Sequence, residues 1–159
     1  MVERGSLAMD RTERELVLER VLDAPRALVF KAWTEPDRLA RWFGPRGFTT
    51  TSCSMDVRPG GAFRVCMRGP DGTDHWLRGT YREIVAPERL VFTWAWEDAE
   101  GRPGHESLVS VTFAETGGKT KLTLHHALFE SRTARDQHEG GWTSCLERLA
   151  EYTAAGGAR

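Results

Sequence analysis

From Thr49 to Leu128 the side chains repeat with a period of two, and turn residues cut the run at short intervals. Phe63, Val65 and Met67 alternate with Arg64, Cys66 and Arg68; Leu90, Phe92, Trp94 and Trp96 share one face of a later segment. Ser107, Val109, Val111 and Phe113 share a face of another, and Leu122, Leu124, His126 and Leu128 oppose Lys121, Thr123 and His125. Pro59-Gly60-Gly61, Gly69-Pro-Asp-Gly72, Ala86-Pro87-Glu88 and Thr116-Gly117-Gly118 are turn chemistry: proline presets one dihedral and glycine accepts positive φ. Strands are therefore predicted at Thr49–Val57, around Phe63–Met67, at His75–Val85 and at the three later segments, with a polar loop at Asp98–Gly104. Six strands in a continuous run of hairpins make an antiparallel sheet with one apolar face, and that face needs a cover.

One stretch is long enough to supply it, from about Thr133 to Ala154. There Trp142, Cys145, Leu146, Leu149 and Tyr152 recur at spacings of three and four, which places them on one helical face, with His138 extending the face toward the helix start. Ser131 or Thr133 can cap the start and Gly156-Gly157 ends it. Gly140-Gly141 falls inside the first turns, where each glycine costs about 1 kcal/mol against alanine. A sequence that accepts this needs close backbone approach or empty space beside the helix.

Ahead of the hairpins, Leu16–Leu22 is β-branched and apolar, a first strand. Two short helices are predicted after it. Asp23 can cap the first and Pro25 suits its opening turn; the second runs from Pro36 to Trp42, with Leu39, Trp42 and Phe43 on its buried side, and Gly44-Pro45 stops it. Residues 1–12 are charged and aperiodic and read as a loose tail, 13–155 as a single domain, and 156–159 as a short C-terminal tail. A net charge of -1 gives no support for a nucleic-acid surface. No apolar run approaches the ~20 residues of a membrane span, and the N-terminus has no apolar signal core. Cys53, Cys66 and Cys145 are odd in number and widely spaced, which reads as reduced thiols in a cytoplasmic protein.

The order of strand, two short helices, six strands and a long helix resembles the helix-grip fold of the START/Bet v 1-like superfamily, called SRPBCC. Within it the chain is similar to the AHSA1-like family, named after the activator of Hsp90 ATPase. The residues that carry the likeness are Ala24-Pro25, Ala32–Pro45 (AWTEPDRLARWFGP), Arg58–Arg64 (RPGGAFR), Gly69–Gly72 (GPDG), Gly79–Trp94 (GTYREIVAPERLVFTW) and His138–Tyr152 (HEGGWTSCLERLAEY). The resemblance implies an α+β architecture, a curved antiparallel sheet wrapped around the C-terminal helix, with an elongated cavity between them. On the sheet, the residues expected to face that cavity are Phe63, Val65 and Met67, then Trp94 and Trp96, then Val109, Val111 and Leu124. On the helix they are His138, Gly141, Trp142 and Cys145, with His126 between. For the His75–Val85 strand the pattern leaves two faces open, Leu77 and Tyr81 on one, Trp76 and Arg78 on the other.

His126 sits among apolar neighbours at two-residue spacing and so points inward, either orienting a ligand or satisfied as a core histidine. His138 could meet it across the cavity or close the mouth; these two are the weak candidates for an acid–base pair. His75, His105 and His125 are expected on loops or the outer face, and Asp74 and Glu106 at a solvated rim. His126, His138 and Cys145 have no metal-ligand spacing, so no metal and no cofactor is expected, and Cys145 on a buried helical face reads as a small hydrophobe rather than a nucleophile. The expected function is therefore a cavity for a small apolar, aromatic or lipid-like ligand, with His126, His138 and Tyr81 as polar anchors. Regulation of an Hsp90-type ATPase, as the family name implies, and a cyclase- or hydrolase-like enzyme stay open as alternatives, as does a homodimer.

Overall fold

The structure is a computed structural model and describes residues 13–156. The tail read at residues 1–12 lies outside the described residues, as do residues 157–159. The elements are β1 (Leu16–Leu22), α1 (Arg26–Thr34), α2 (Pro36–Leu39), β2 (Thr49–Met55), β3 (Ala62–Arg68), β4 (Asp74–Val85), β5 (Arg89–Trp96), β6 (Ser107–Thr116), β7 (Lys119–Ala127) and α3 (Arg132–Ala154). This is the expected order. The seven strands form one antiparallel sheet, β1-β7-β6-β5-β4-β3-β2, so β2 to β7 lie side by side in chain order and β1 returns to pair with β7.

The sheet wraps rather than lying flat, and the cause is visible at β4–β5. Pairing runs as far as Arg78↔Ala95, resumes in the same register at Tyr81↔Phe92, and shifts by one residue between Tyr81 and Glu83. Between these points the Thr80 N–H leaves the ladder and donates to Thr93 Oγ1 at 2.8 Å. Gly79 makes the bend possible. A Cβ there would stand 2.0 Å from the Thr93 carbonyl oxygen and 2.5 Å from the Phe63 ring. Alternation settles the face left open by the sequence: Leu77 and Tyr81 are buried toward the helix, while Trp76 and Arg78 lie on the outer side.

α3 starts where Ser131 Oγ accepts the Ala134 N–H at 3.1 Å, a side-chain cap, and ends before Gly156 at φ 94°. Its buried residues are Trp142, Cys145, Leu146, Leu149 and Thr153. The cap expected at α1 and the extent expected of α2 both differ. Pro25 and Glu35 occupy the cap positions without side-chain bonds, so Asp23 caps nothing, and α2 is a single turn that ends at Leu39. Phe30 and Trp33 pack under the sheet, Phe30 against Phe113 and Trp33 against Phe92 and Phe113, and Trp42 packs edge-on against Trp33. Cys53, Cys66 and Cys145 are free.

Candidate functional site

A cavity of about 480 Å³ lies between the sheet and the first half of α3. The helix contributes Gln137, His138, Gly141, Trp142 and Cys145; the sheet contributes Met67, His75, Trp94 and Trp96. The third wall is the α2–β2 loop, with Phe43, Gly44, Pro45 and Phe48. The volume is in the range that holds a small organic molecule, and no Asp, Glu, Lys or Arg is in the lining.

The loop wall is fastened to α3 by chemistry from the helix. One Arg148 nitrogen, Nη1, donates to the carbonyls of Gly44 at 2.9 Å, Pro45 at 3.2 Å and Phe48 at 3.2 Å. Ser144 Oγ accepts the Arg46 N–H at 2.8 Å, Cys145 Sγ accepts the Gly44 N–H at 3.3 Å, and Arg46 pairs with Glu151. Gly44 and Gly47 take positive φ (99° and 91°), the backbone freedom by which the loop turns back onto the helix. This wall was not found from the sequence, because Gly44-Pro45 reads there only as a helix stop.

Gly140 and Gly141 differ in surroundings. A Cβ on Gly140 would meet nothing within 4 Å, and one on Gly141 would meet only Pro45 Cγ, at 3.8 Å. Close backbone approach does not explain them; Gly141 borders open cavity.

The histidines are held by complete hydrogen-bond sets. Trp142 Nε1–H donates to His126 Nδ1 at 3.0 Å, so the neutral ring carries its proton on Nε2 and donates it to Ser107 Oγ at 2.8 Å; Ser107 in turn donates to the Trp94 carbonyl at 3.3 Å. Burial, and after it the nearby His138 and His125, pushes His126 well below the ordinary histidine range. His138 Nδ1 donates to the Ala134 carbonyl at 2.7 Å, while its Nε2 accepts two indole N–H groups, from Trp96 at 3.0 Å and Trp94 at 3.3 Å. Burial lowers its proton affinity too, against the opposing pull of the Ala134 carbonyl. The two rings stand 5.3 Å apart, edge to face. His126 is fully buried and does not reach the cavity; His138 lines it with no ring nitrogen free.

Of the residues expected to line the cavity, Met67, Trp94, Trp96, His138, Gly141, Trp142 and Cys145 do so. Phe63, Val65 and Tyr81 instead border a smaller void of about 30 Å³ deeper in the grip. Val109, Val111 and Leu124 are fully buried beneath neither space, because the middle of the sheet packs directly on the helices. His75 is at the surface, as expected, but on the inner side of β4 and not the outer: it continues the Leu77–Tyr81 face and stands, exposed, at the cavity mouth. Asp74 pairs with Arg68 and Glu106 stands 3.8 Å from Arg82, both outside the lining. A further space of about 260 Å³ lies behind the Trp94–Trp96–His138 wall, with Ser107, Phe129 and Glu130. Cys145, fully enclosed, has its thiol pushed up to about 12 by burial, and Cys53 is pushed up to about 11 for the same reason, which leaves both far from nucleophilic thiolates. Among the described residues no three His, Cys, Asp or Glu side chains gather as metal ligands, and no helix is long and apolar enough to cross a membrane.

On the outer face, Arg64 grips the buried Glu97 carboxylate with two bonds, at 2.7 and 2.8 Å, and lies 3.9 Å over the Trp76 ring, while Arg78 adds a third bond to the same carboxylate. Arg64, with Arg78, holds Glu97 down to about 2. Arg64, on Glu97, and Arg68, on Asp74, are thus both paired within the sheet.

Comparison with known proteins agrees with this architecture. Residues 23–154 match the family model described as activator of Hsp90 ATPase homolog 1-like protein. The AHSA1 protein from Silicibacter pomeroyi is similar in structure, with a TM-score of 0.80 and 29% identity over 89% of this chain and 98% of its own. A protein from Nitrosomonas europaea gives 0.78 and 28%, over 92% and 98%, and one from Arthrobacter aurescens 0.81 and 26%, over 89% and 86%. A sequence search of curated proteins finds no match.

Proposed function

This chain belongs to the activator of Hsp90 ATPase homolog 1-like protein family, and from that premise we propose that its cavity binds a small, neutral ligand with an apolar, largely aromatic body. One observation carries the reading: the walls are rings and a thioether, and the polar groups among them are spent on one another. The Trp94 and Trp96 N–H groups are taken by His138, and the Trp142 N–H by His126. A charged ligand would surrender its hydration with no countercharge in return, a loss of several kcal/mol. Polar ends of the ligand belong at the rim, beside His75 and Gln137.

The same bonding argues against acid–base work by the histidine pair. His126 already holds its proton toward Ser107 and takes the Trp142 N–H on its other nitrogen, so it has no lone pair with which to activate the serine. His126, His138 and Tyr81 are accordingly not the anchors of this reading. Action on an Hsp90-type ATPase rests on the family description and is tested by that ATPase's rate with and without this protein.

The test is titration with neutral phenylnaphthylamine, followed by its fluorescence and by thermal unfolding. Binding should raise stability by about 2.7 kcal/mol at a hundredfold excess over Kd, and the anionic anilinonaphthalenesulfonate should bind more weakly. Gly141→Leu would push a side chain into the cavity and improve helix propensity; it should abolish binding while leaving the fold at least as stable. Equal binding by wild type and Gly141→Leu would sink the proposal.

A further inference from the structure

The tryptophan indoles that pack around the grip are nearly all accounted for. Trp42 donates to the Ala32 carbonyl at 3.0 Å, Trp142 to His126, and Trp94 and Trp96 to His138. Trp33 differs. It is 3% exposed, and its Nε1–H has no acceptor. An indole N–H is only a donor, and one left unpaired inside a protein loses the hydrogen bond it makes to water when unfolded. Its neighbours are rings: Trp42 at 4.8 Å, Trp142 stacked at 6.0 Å, Phe113 at 6.2 Å and Phe92 at 6.5 Å between centroids.

Trp33 borders the inner void of about 30 Å³. That space matches one water or one small group of a ligand. The void is not remote from the main cavity. Phe43 and Trp94 line both, with ring centroids 6.1 Å apart, and Trp142, which lines the main cavity, lies against Trp33. A group passing between Phe43 and Trp94 leaves the apolar cavity and arrives beside the one indole among these that lacks an acceptor.

We propose that the inner void is the deep end of the ligand site, and that the ligand carries a neutral hydrogen-bond acceptor, a carbonyl or ether oxygen, that takes the Trp33 Nε1–H. This rests on the cavity reading above and narrows it from any apolar molecule to an aromatic ketone, ester, lactone or ether. The acceptor is neutral because the void is walled by Leu39, Met55, Phe63 and Phe92 and offers a charge no partner. Phe43 is the residue that must turn to admit it, and Phe43 belongs to the wall fastened by Arg148.

The experiment uses two probes of nearly one shape, acetylnaphthalene and isopropenylnaphthalene, which differ by C=O against C=CH2. Their affinities are measured calorimetrically for the wild-type chain and for Trp33→Phe. Each ratio of ketone to alkene affinity contains the same desolvation of the ketone, so the comparison of ratios isolates the indole N–H. The ratio should fall at least about fivefold in Trp33→Phe. Should that variant not fold, the indole N–H resonance of Trp33 in labelled wild-type protein gives the same reading: the ketone should move it downfield and the alkene should not. Both probes binding with an unchanged ratio, or a Trp33 resonance that exchanges with water while the ketone is bound, would overturn the inference and leave the cavity reading standing. Failure of both probes to bind the wild type would overturn the two together.

Discussion

At the scale of single residues, the interior is organised around two neutral imidazoles. His126 and His138 each have both ring nitrogens bonded, and in each case indole donors fix which nitrogen is bare. Protonation would set a new N–H against those donors. The consequence for stability has a definite sign. Folded, both groups titrate below the ordinary histidine value of 6.5; unfolded, they titrate near it. Above about pH 6.5 both states are neutral and nothing changes. Below it the unfolded chain takes up protons that the folded chain refuses, so stability falls by up to about 1.4 kcal/mol per pH unit for each ring. Urea unfolding at a series of pH values from neutral to acid should show this slope. His126→Leu should flatten it and lower neutral stability by about 1–3 kcal/mol, the cost of the stranded Trp142 N–H; an unaltered slope would contradict the assignment. The inward direction of His126 was legible from Leu122 and Leu124 before it, while Leu128, placed on the same face by the alternation, is exposed because β7 ends at Ala127 and the chain turns there at φ 68°. Its partners were not, because Ser107 and Trp142 lie 19 and 16 residues away and meet it only through the β6–β7 register and the seating of α3.

At the scale of elements, local pattern was a good guide wherever one rule acted alone. β6 and β7 followed their period of two, β5 is buried on both faces, and α3 followed its apolar stripe and its serine cap. It was a poor guide where the chain turns back by contacts made far along the sequence. The loop from Phe43 to Phe48 has no period, and what shapes it is a guanidinium about a hundred residues on. Arg148 holds three loop carbonyls with one guanidinium nitrogen, set in place by a planar, rigid group that the flexible lysine stem lacks. Arg148→Ala should destabilise the protein by about 1–3 kcal/mol, Arg148→Lys should recover only part of that, and amide exchange at Gly44 and Arg46 should quicken in both. Unchanged exchange there would show that the loop holds itself.

At the scale of the whole molecule, a cavity exists because the sheet bends and the helix cannot follow it. Gly79 is the pivot, with no room for even a methyl group between the Thr93 carbonyl and the Phe63 ring. Gly79→Ala should therefore cost about 3 kcal/mol or more, readable as a lowered denaturation midpoint; a midpoint within error of wild type would mean the bend is set elsewhere. The wrapped architecture was legible from the order of elements and the family motifs. The division of its interior was not: whether an inward residue such as Val111 meets open space or packed side chains depends on where α1 and α2 plug the grip. Trp33 of α1 and Trp42 just after α2 begin an unbroken file that continues through Trp142 to Trp94 and Trp96, with successive centroids 4.8, 6.0, 5.1 and 5.7 Å apart. Chromophores so close share excitation far faster than they emit light. The file is in effect a single antenna, running from the middle of the protein to the cavity wall, and one near-ultraviolet absorber settling at its end would darken all five.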